Sequence, residues 1–252
     1  MLQHEGLGLV EAVRLVKSRR DVRPNNGFLR QLLELERTLE TGLRGDLVML
    51  RSKEGGLLVK EAEQQGSSIL SLLQQHHGKQ TGGSLCGVRS CCIVLNCLGI
   101  LTQAAELYTE EGFWSTPAAR EVVEEVVRRE GMTLEQCGAI LRAAGVVVEV
   151  WGADRSSLQH FTGQAEQVSS SGGSHLLLLN YHMETLGQAE GLGGHLSPLG
   201  GVVGGRGLVM DVWPQTSECW APLEMIWKSM DTMDKSSGAK RGFIVLVKPG
   251  DL

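Results

Sequence analysis

No stretch of this chain stays apolar over the ~18–20 residues needed to cross a bilayer, and its N-terminus lacks the apolar core of a signal peptide. A membrane span and a secretory route are therefore not expected, and the cytoplasm is the expected compartment. Positive charge is also scarce: 24 Lys and Arg stand against 29 Asp and Glu, a formal net charge of −5, which argues against nucleic acid as a partner. Cysteines number only six in 252 residues, and most lie in apolar, helix-like runs. Reduced, buried thiols are expected there, not a disulfide framework. The glycine-rich run at 200–207 has no following helix and no Lys-Ser/Thr, which excludes a phosphate loop and leaves a hairpin. No internal repeat is present. What remains, 42% hydrophobic and 21% charged residues, is the composition of a globular chain able to bury a substantial core.

Against this background one cysteine stands apart. Cys86 ends the stretch Gln80-Thr81-Gly82-Gly83-Ser84-Leu85 and opens an apolar helical run through Leu98. A thiol at a helix N-terminus meets unpaired N–H groups and the positive end of the helix dipole, which favour thiolate and lower a cysteine pKa. Gln80 is placed to offer a side-chain N–H beside the backbone N–H of Cys86, a two-donor oxyanion hole. Such a nucleophile needs a base, and the chain supplies Gly193-Gly194-His195 and, further on, Asp211. Gly204, Gly205 and Gly207 mark a turn between two apolar runs, so an antiparallel hairpin should carry His195 and Asp211 on neighbouring strands. A carboxylate beside an imidazole fixes its tautomer and steadies the imidazolium. These parts point to thiol-dependent acyl transfer. The order Gln, Cys, His, acid is similar to that of papain-like enzymes.

From about residue 57 to 249 the chain resembles the catalytic domain of phytochelatin synthase. The resemblance is carried by separated blocks in order: Gln80 with Cys86-Gly87 and Val94-Leu95-Asn96; Glu130-Gly131-Met132-Thr133; Asn180-Tyr181-His182; the Gly-Gly-His195-Leu-Ser-Pro-Leu-Gly-Gly block; Asp211-Val212; Trp220-Ala221-Pro222-Leu223; Trp227-Lys228-Ser229-Met230-Asp231; and Asp234 with Arg241-Gly242-Phe243. It implies a papain-like cysteine peptidase fold and a transpeptidase that cleaves glycine from glutathione. γ-Glutamylcysteine is then transferred to another glutathione or to a phytochelatin, for heavy-metal detoxification. Cys86, His195, Asp211 and Gln80 would be catalytic. Gly194, Asp234 and Arg241 would bind substrate, the last two holding the amino and carboxylate ends of the γ-glutamyl group. No tightly bound cofactor and no protein-borne metal site are implied. Cadmium or zinc would activate as a metal–glutathione thiolate substrate. A homodimer is left open. The alternatives are a glutathione hydrolase using the same residues and a non-catalytic fusion protein.

The chain also departs from the family pattern. Arg89 stands where a small residue is usual, the Gln188-to-His195 spacing is about two residues longer, and the turn before Asp211 is about two shorter. After Asp211-Val212 the usual Ala-Arg is replaced by Trp213-Pro214. A basic group expected to meet a substrate carboxylate is thereby missing.

The expected fold class is α+β, with helices first and an antiparallel sheet later. Residues 1–45 should form a helical tail, with helices over 7–20 and 28–40, and 46–252 the catalytic domain; the glycines and charges of 42–56 read as the linker. The tail resembles the last helices of a dual-specificity phosphatase over about forty residues. It lacks that enzyme's chemistry, because no cysteine in the chain has an arginine six positions on. Helices are expected over 59–65, 68–75, 118–130 and 133–144, the last with a Thr-x-x-Gln capping box and Gly145 as its stop. Strands are expected over 146–151, 175–182, 208–213 and 242–248. His76 and His77, being adjacent, should point to different faces as solvated side chains and not form a metal site.

Overall fold

A computed structural model describes residues 47–250. The chain divides into two compact units, residues 1–47 and 48–252, and the tail helices expected over 7–20 and 28–40 lie outside the described residues.

The second unit begins with a short strand β1 (Val48–Met49) and continues through helices α1 (Lys53–Gln64), α2 (Ile69–Gln74), α3 (Cys86–Cys97), α4 (Glu110–Phe113), α5 (Glu124–Glu130) and α6 (Leu134–Ala143). Strand β2 (Val147–Gly152) and helix α7 (Leu158–Ser170) lead into β3 (His175–His182), the short α8 (Met183–Leu186), β4 (Gly194–Val203), β5 (Arg206–Val209) and β6 (Cys219–Pro222). Helix α9 (Leu223–Met230), a small hairpin of β7 (Met233–Asp234) and β8 (Ala239–Lys240), and β9 (Gly242–Val247) close the unit. This is an α+β arrangement built on one seven-stranded sheet, in the order β1-β6-β5-β4-β3-β9-β2, with every neighbouring pair antiparallel.

Two local patterns place the site. The run from Val88 to Leu95 is apolar on almost every face, so α3 can be satisfied only by burial on all sides, and it packs on β4. Its first residue is thereby pressed against the sheet. The hairpin between β4 and β5 turns at Gly204 and Gly205, both at positive φ (+55° and +74°), which fits the twist of a tight antiparallel connection. It brings the chain after β5 back along β4.

Some local expectations need correction. The 42–56 stretch is not all linker: its described part contains β1, which pairs with β6, and the start of α1, where the Ser52 side chain caps the N–H of Gly55. The helix expected over 118–130 is broken in two, a 3₁₀ turn at Pro117–Glu121 and then α5, because Val122 takes an extended conformation (φ −140°, ψ 160°). β-Branched pairs favour that state over an exposed helical one. The strand expected over 208–213 covers 206–209 instead, so Asp211 follows β5 and is not within it. Helix α7 was not expected at all, although Ser157 caps His160 and Phe161, Ala165 and Val168 form its buried stripe. The capping box of α6, between Thr133 and Gln136, is present with both of its hydrogen bonds.

Candidate active site

Cys86 is the first residue of α3, and Leu85 before it provides no side-chain cap. The first-turn N–H groups are left for whatever lies at the helix end. Two backbone N–H groups, of Gly87 and of Leu196 on β4, reach the Cys86 sulfur. Gly87 suits this approach: a Cβ there would stand 2.6 Å from Met132 Cε and 3.1 Å from Leu196 Cδ1, so both side chains would have to give way. One turn on, Ser90 Oγ donates to Leu196 O at 2.9 Å and fastens the helix to the strand.

His195 precedes Leu196 on β4, opposite Tyr181 of β3. Its Nε2 lies 2.9 Å from Asp211 Oδ1, and its ring also hydrogen-bonds Cys86, so the imidazole bridges thiol and carboxylate. Tyr181 and Trp213 meet the ring edge-on, at 5.7 Å and 6.3 Å between centroids. Asp211 is fully buried. It is held by the Trp213 N–H at 2.7 Å on Oδ1, and on Oδ2 by Gln188 Nε2 at 2.8 Å and the Thr216 hydroxyl. Behind it, Lys79 Nζ donates to Asp211 O at 2.7 Å and to Thr216 O at 3.0 Å while pairing with Glu218 at 2.9 Å. His77 is not a solvated side chain: it is part-buried between Glu218 Oε1 (3.6 Å) and Asp211 O (3.1 Å). Lys79, His77, Gln188, Thr216 and Glu218 carry no local motif, because what unites them is a loop more than a hundred residues away from the two of them that precede Cys86.

The electrostatics select one thiol. Burial pushes Cys86 up, but the His195 charge, its hydrogen bond and the two N–H groups outweigh burial and leave the thiol below its ordinary value. Burial likewise disfavours charged His195, yet the Cys86 thiolate and Asp211 raise it to about 9. Burial also opposes the Asp211 charge, and the His195, Thr216 and Trp213 contacts overcome it and hold the carboxyl below its usual range. Other thiols go the opposite way: burial raises Cys97 and Cys219 to about 12, and Cys91 is raised by its hydrogen bond with Cys137 and by burial. All six cysteines are free and buried.

The reactive form is thus thiolate beside imidazolium, and its pH dependence has a definite sign. Turnover should climb as pH rises through the lowered pKa of Cys86 and fall again near 9, as His195 loses the proton it would give the leaving group, whereas alkylation, which needs no acid, should climb and then hold. Rates of turnover and of iodoacetamide alkylation against pH check this. An unassisted thiol would instead show one alkylation rise near ~8.5, with little thiolate at neutral pH.

Around the thiol is a cavity of about 400 Å³, lined among others by Cys86, His195, Trp213, Gly194, Asp234 and Arg241. Asp234 and Arg241 meet across 3.8 Å (Oδ1 to Nη2). Arg241 Nη1 donates to Thr232 Oγ1 at 3.2 Å and to Met233 O, while its buried Nε has no partner among the described residues. Gly194 lets the guanidinium pass: a Cβ there would lie 2.6 Å from Arg241 Nη2. Gln80 is buried beside the loop to Cys86, with its backbone N–H on Val212 O at 2.8 Å. Its Nε2, however, donates to Gly82 O at 2.5 Å, so this amide is not turned to the thiol in this structure. Among the described residues no group of three or more His, Cys, Asp or Glu is arranged to hold a metal ion, and no helix is long and apolar enough to cross a membrane.

The α+β chain thus brings a thiol, an imidazole and a carboxylate together beside a cavity. Residues 39–243 match the phytochelatin synthase family, and the chain belongs to it. It is 28% identical over 211 residues to glutathione gamma-glutamylcysteinyltransferase 2 of Arabidopsis thaliana, covering 79% of this chain and 44% of that protein. With the glutathione gamma-glutamylcysteinyltransferase of Schizosaccharomyces pombe it shares 23% identity over 224 residues, 87% of this chain and 50% of that one. The chain thus spans half or less of these relatives' length. A separate similarity, 58% identity over 43 residues, links 17% of the chain to 20% of dual specificity protein phosphatase 26 of Bos taurus.

Proposed function

We propose that this protein is a glutathione γ-glutamylcysteinyltransferase of papain-like design, acting in the cytoplasm. The observation that carries the reading is the bridge formed by His195 between Cys86 and Asp211, opening on a cavity that also holds the Asp234–Arg241 pair. Glutathione has the matching chemistry: an ammonium and a carboxylate at its γ-glutamyl end for Asp234 and Arg241, and an amide bond to glycine further along for Cys86.

In the first half-reaction Cys86 Sγ attacks the carbonyl of the Cys–Gly amide, and the backbone N–H of Cys86 receives the developing oxyanion. Gln80 would add a second donor after its Nε2 leaves Gly82 O. The C–N bond breaks as His195 gives its proton to the leaving glycine amine. A γ-glutamylcysteinyl thioester remains. In the second half-reaction neutral His195 removes a proton from the amine of an acceptor glutathione or phytochelatin, which displaces Cys86 and forms the new peptide bond. Water in the acceptor's place gives hydrolysis. A cadmium- or zinc-capped glutathione thiolate serves as substrate, its amine free to react while its sulfur is occupied.

One observation favours the hydrolase as a second reading. Trp213 stands at the cavity beside His195, where the resemblance leads one to look for a neighbouring basic residue for the acceptor. Hydrolysis should accordingly remain substantial. Chromatography of products from glutathione at several metal-to-glutathione ratios decides between them: a shift from γ-glutamylcysteine plus glycine towards the two-repeat phytochelatin supports transfer. A product ratio that ignores metal supports the hydrolase.

The role of Arg241 gives a further expectation. Arg241→Ala should raise KM for glutathione by about tenfold or more, as expected for loss of a charge-assisted contact, while iodoacetamide still alkylates Cys86 at the unaltered rate. Steady-state kinetics and alkylation are measured on one preparation. Equal losses in both would assign Arg241 to the fold and not to substrate binding.

A further inference from the structure

The loop from 78 to 81 is gripped by an ion pair that takes no part in the steps above. Arg89 lies in the first turn of α3, three residues after Cys86. Its Nε donates to Gly78 O at 2.9 Å and stands 4.0 Å from Glu110 Oε1. Glu110, the first residue of α4, is buried at 8% exposure. Its Oε2 accepts the Thr81 N–H at 3.1 Å and the Thr81 hydroxyl at 2.5 Å. The segment before Glu110 is itself tied to α3, where Asn96 donates to Tyr108 O at 3.0 Å and accepts the Tyr108 N–H at 2.8 Å. One guanidinium and one carboxylate therefore fix the backbone at 78 and 81, on both sides of buried Gln80.

The fit is mutual. A Cβ on Gly78 would lie 2.0 Å from Arg89 Nη2, so a side chain there would push the guanidinium out of its present place. Burial of a carboxylate is costly without partners: Glu110 Oε2 has both Thr81 donors, whereas Oε1 has no hydrogen-bond partner among the described residues and faces only the Arg89 charge at 4.0 Å.

We propose that Arg89 and Glu110 are positioning residues for the oxyanion side of the active site. They fix the loop backbone on either side of Gln80, so that its amide, once Nε2 leaves Gly82 O, can join the backbone N–H of Cys86 on the oxygen of the scissile amide. This rests on the acyl-transfer reading above.

The test compares glycine release from glutathione with alkylation of Cys86 by iodoacetamide, which forms no oxyanion, in the wild-type protein and in Glu110→Ala, Glu110→Gln, Gly78→Ala and Arg89→Ala. Removing one oxyanion donor outright lowers kcat ~10²–10³-fold, so a misplaced donor should cost about tenfold or more. That loss is expected in kcat for Glu110→Ala and Gly78→Ala, with KM and the alkylation rate within about twofold of wild type. Glu110→Gln, which keeps an oxygen to accept from Thr81, should recover most of the loss. In an Arg89→Ala background, Gly78→Ala should cost nothing more, since the clash has been removed. The inference is overturned if kcat is unchanged in Glu110→Ala and Gly78→Ala, or if alkylation falls in parallel with kcat, which would mark a merely structural pair. Should Glu110→Ala not fold, Gly78→Ala carries the same decision. Absence of glycine release from the wild-type protein would overturn the acyl-transfer reading itself.

Discussion

Cys86→Ala should lower glycine release from glutathione by on the order of 10⁴-fold or more, to the level that binding and the remaining groups sustain without a nucleophile. The argument is electrostatic as much as geometric. The imidazole of His195 and the N–H groups of Gly87 and Leu196 converge on this sulfur and carry its thiol below the ordinary value, whereas burial raises Cys97 and Cys219 to about 12. A thiol that titrates near 12 supplies almost no thiolate at neutral pH. Cys91→Ser and Cys137→Ser should act mainly on stability, since both side chains are fully buried. Glycine release and thermal melting of the three variants separate the two effects. Turnover surviving in Cys86→Ala would remove the proposed nucleophile.

Asp211→Asn should come next in size, a fall in kcat of about 10³–10⁴-fold with the protein still folded. Asp211 accepts from His195 Nε2 at 2.9 Å, and three further donors hold its carboxylate in place. An amide there offers an N–H as readily as an oxygen, so it can hold the imidazole in the wrong tautomer and can no longer steady the imidazolium. The loss should be visible before any turnover: with the imidazolium weakened, the Cys86 thiolate loses its main counter-charge and alkylation near pH 6 slows. The pH profile of alkylation in Asp211→Asn measures this. An unchanged profile would assign Asp211 to the fold alone.

The parts of the site legible in the sequence are those written locally. A glycine-flanked thiol before an apolar run placed Cys86 at the start of α3, and paired glycines between two apolar runs placed the His195 hairpin. The supporting groups were not legible, because their partners are set by tertiary contact. Lys79 and His77 are neighbours of Gln80 in the chain, but they act on Asp211 O across more than 130 residues. Arg89 is, in the sequence, only a departure from the family pattern, because its partners Gly78 and Glu110 meet it through the fold. Gln80 illustrates the opposite limit: the sequence sets it six residues before the thiol, while the direction of its amide, towards Gly82 O, depends on a turn that no spacing specifies. Helix α7 was overlooked for a similar reason. Only three buried residues, Phe161, Ala165 and Val168, mark its inner face, and its polar residues read as loop.

The central claim is that Cys86 carries the γ-glutamylcysteinyl group between donor and acceptor. Its most direct test is rapid acid quenching of the protein with glutathione, followed by mass spectrometry of the intact chain and of its cysteine peptides. The account predicts an adduct of γ-glutamylcysteine less water, on Cys86 alone, that forms as glycine is released and disappears when hydroxylamine is added. Glycine release without an adduct, or an adduct on Cys219 or another buried thiol, would contradict it.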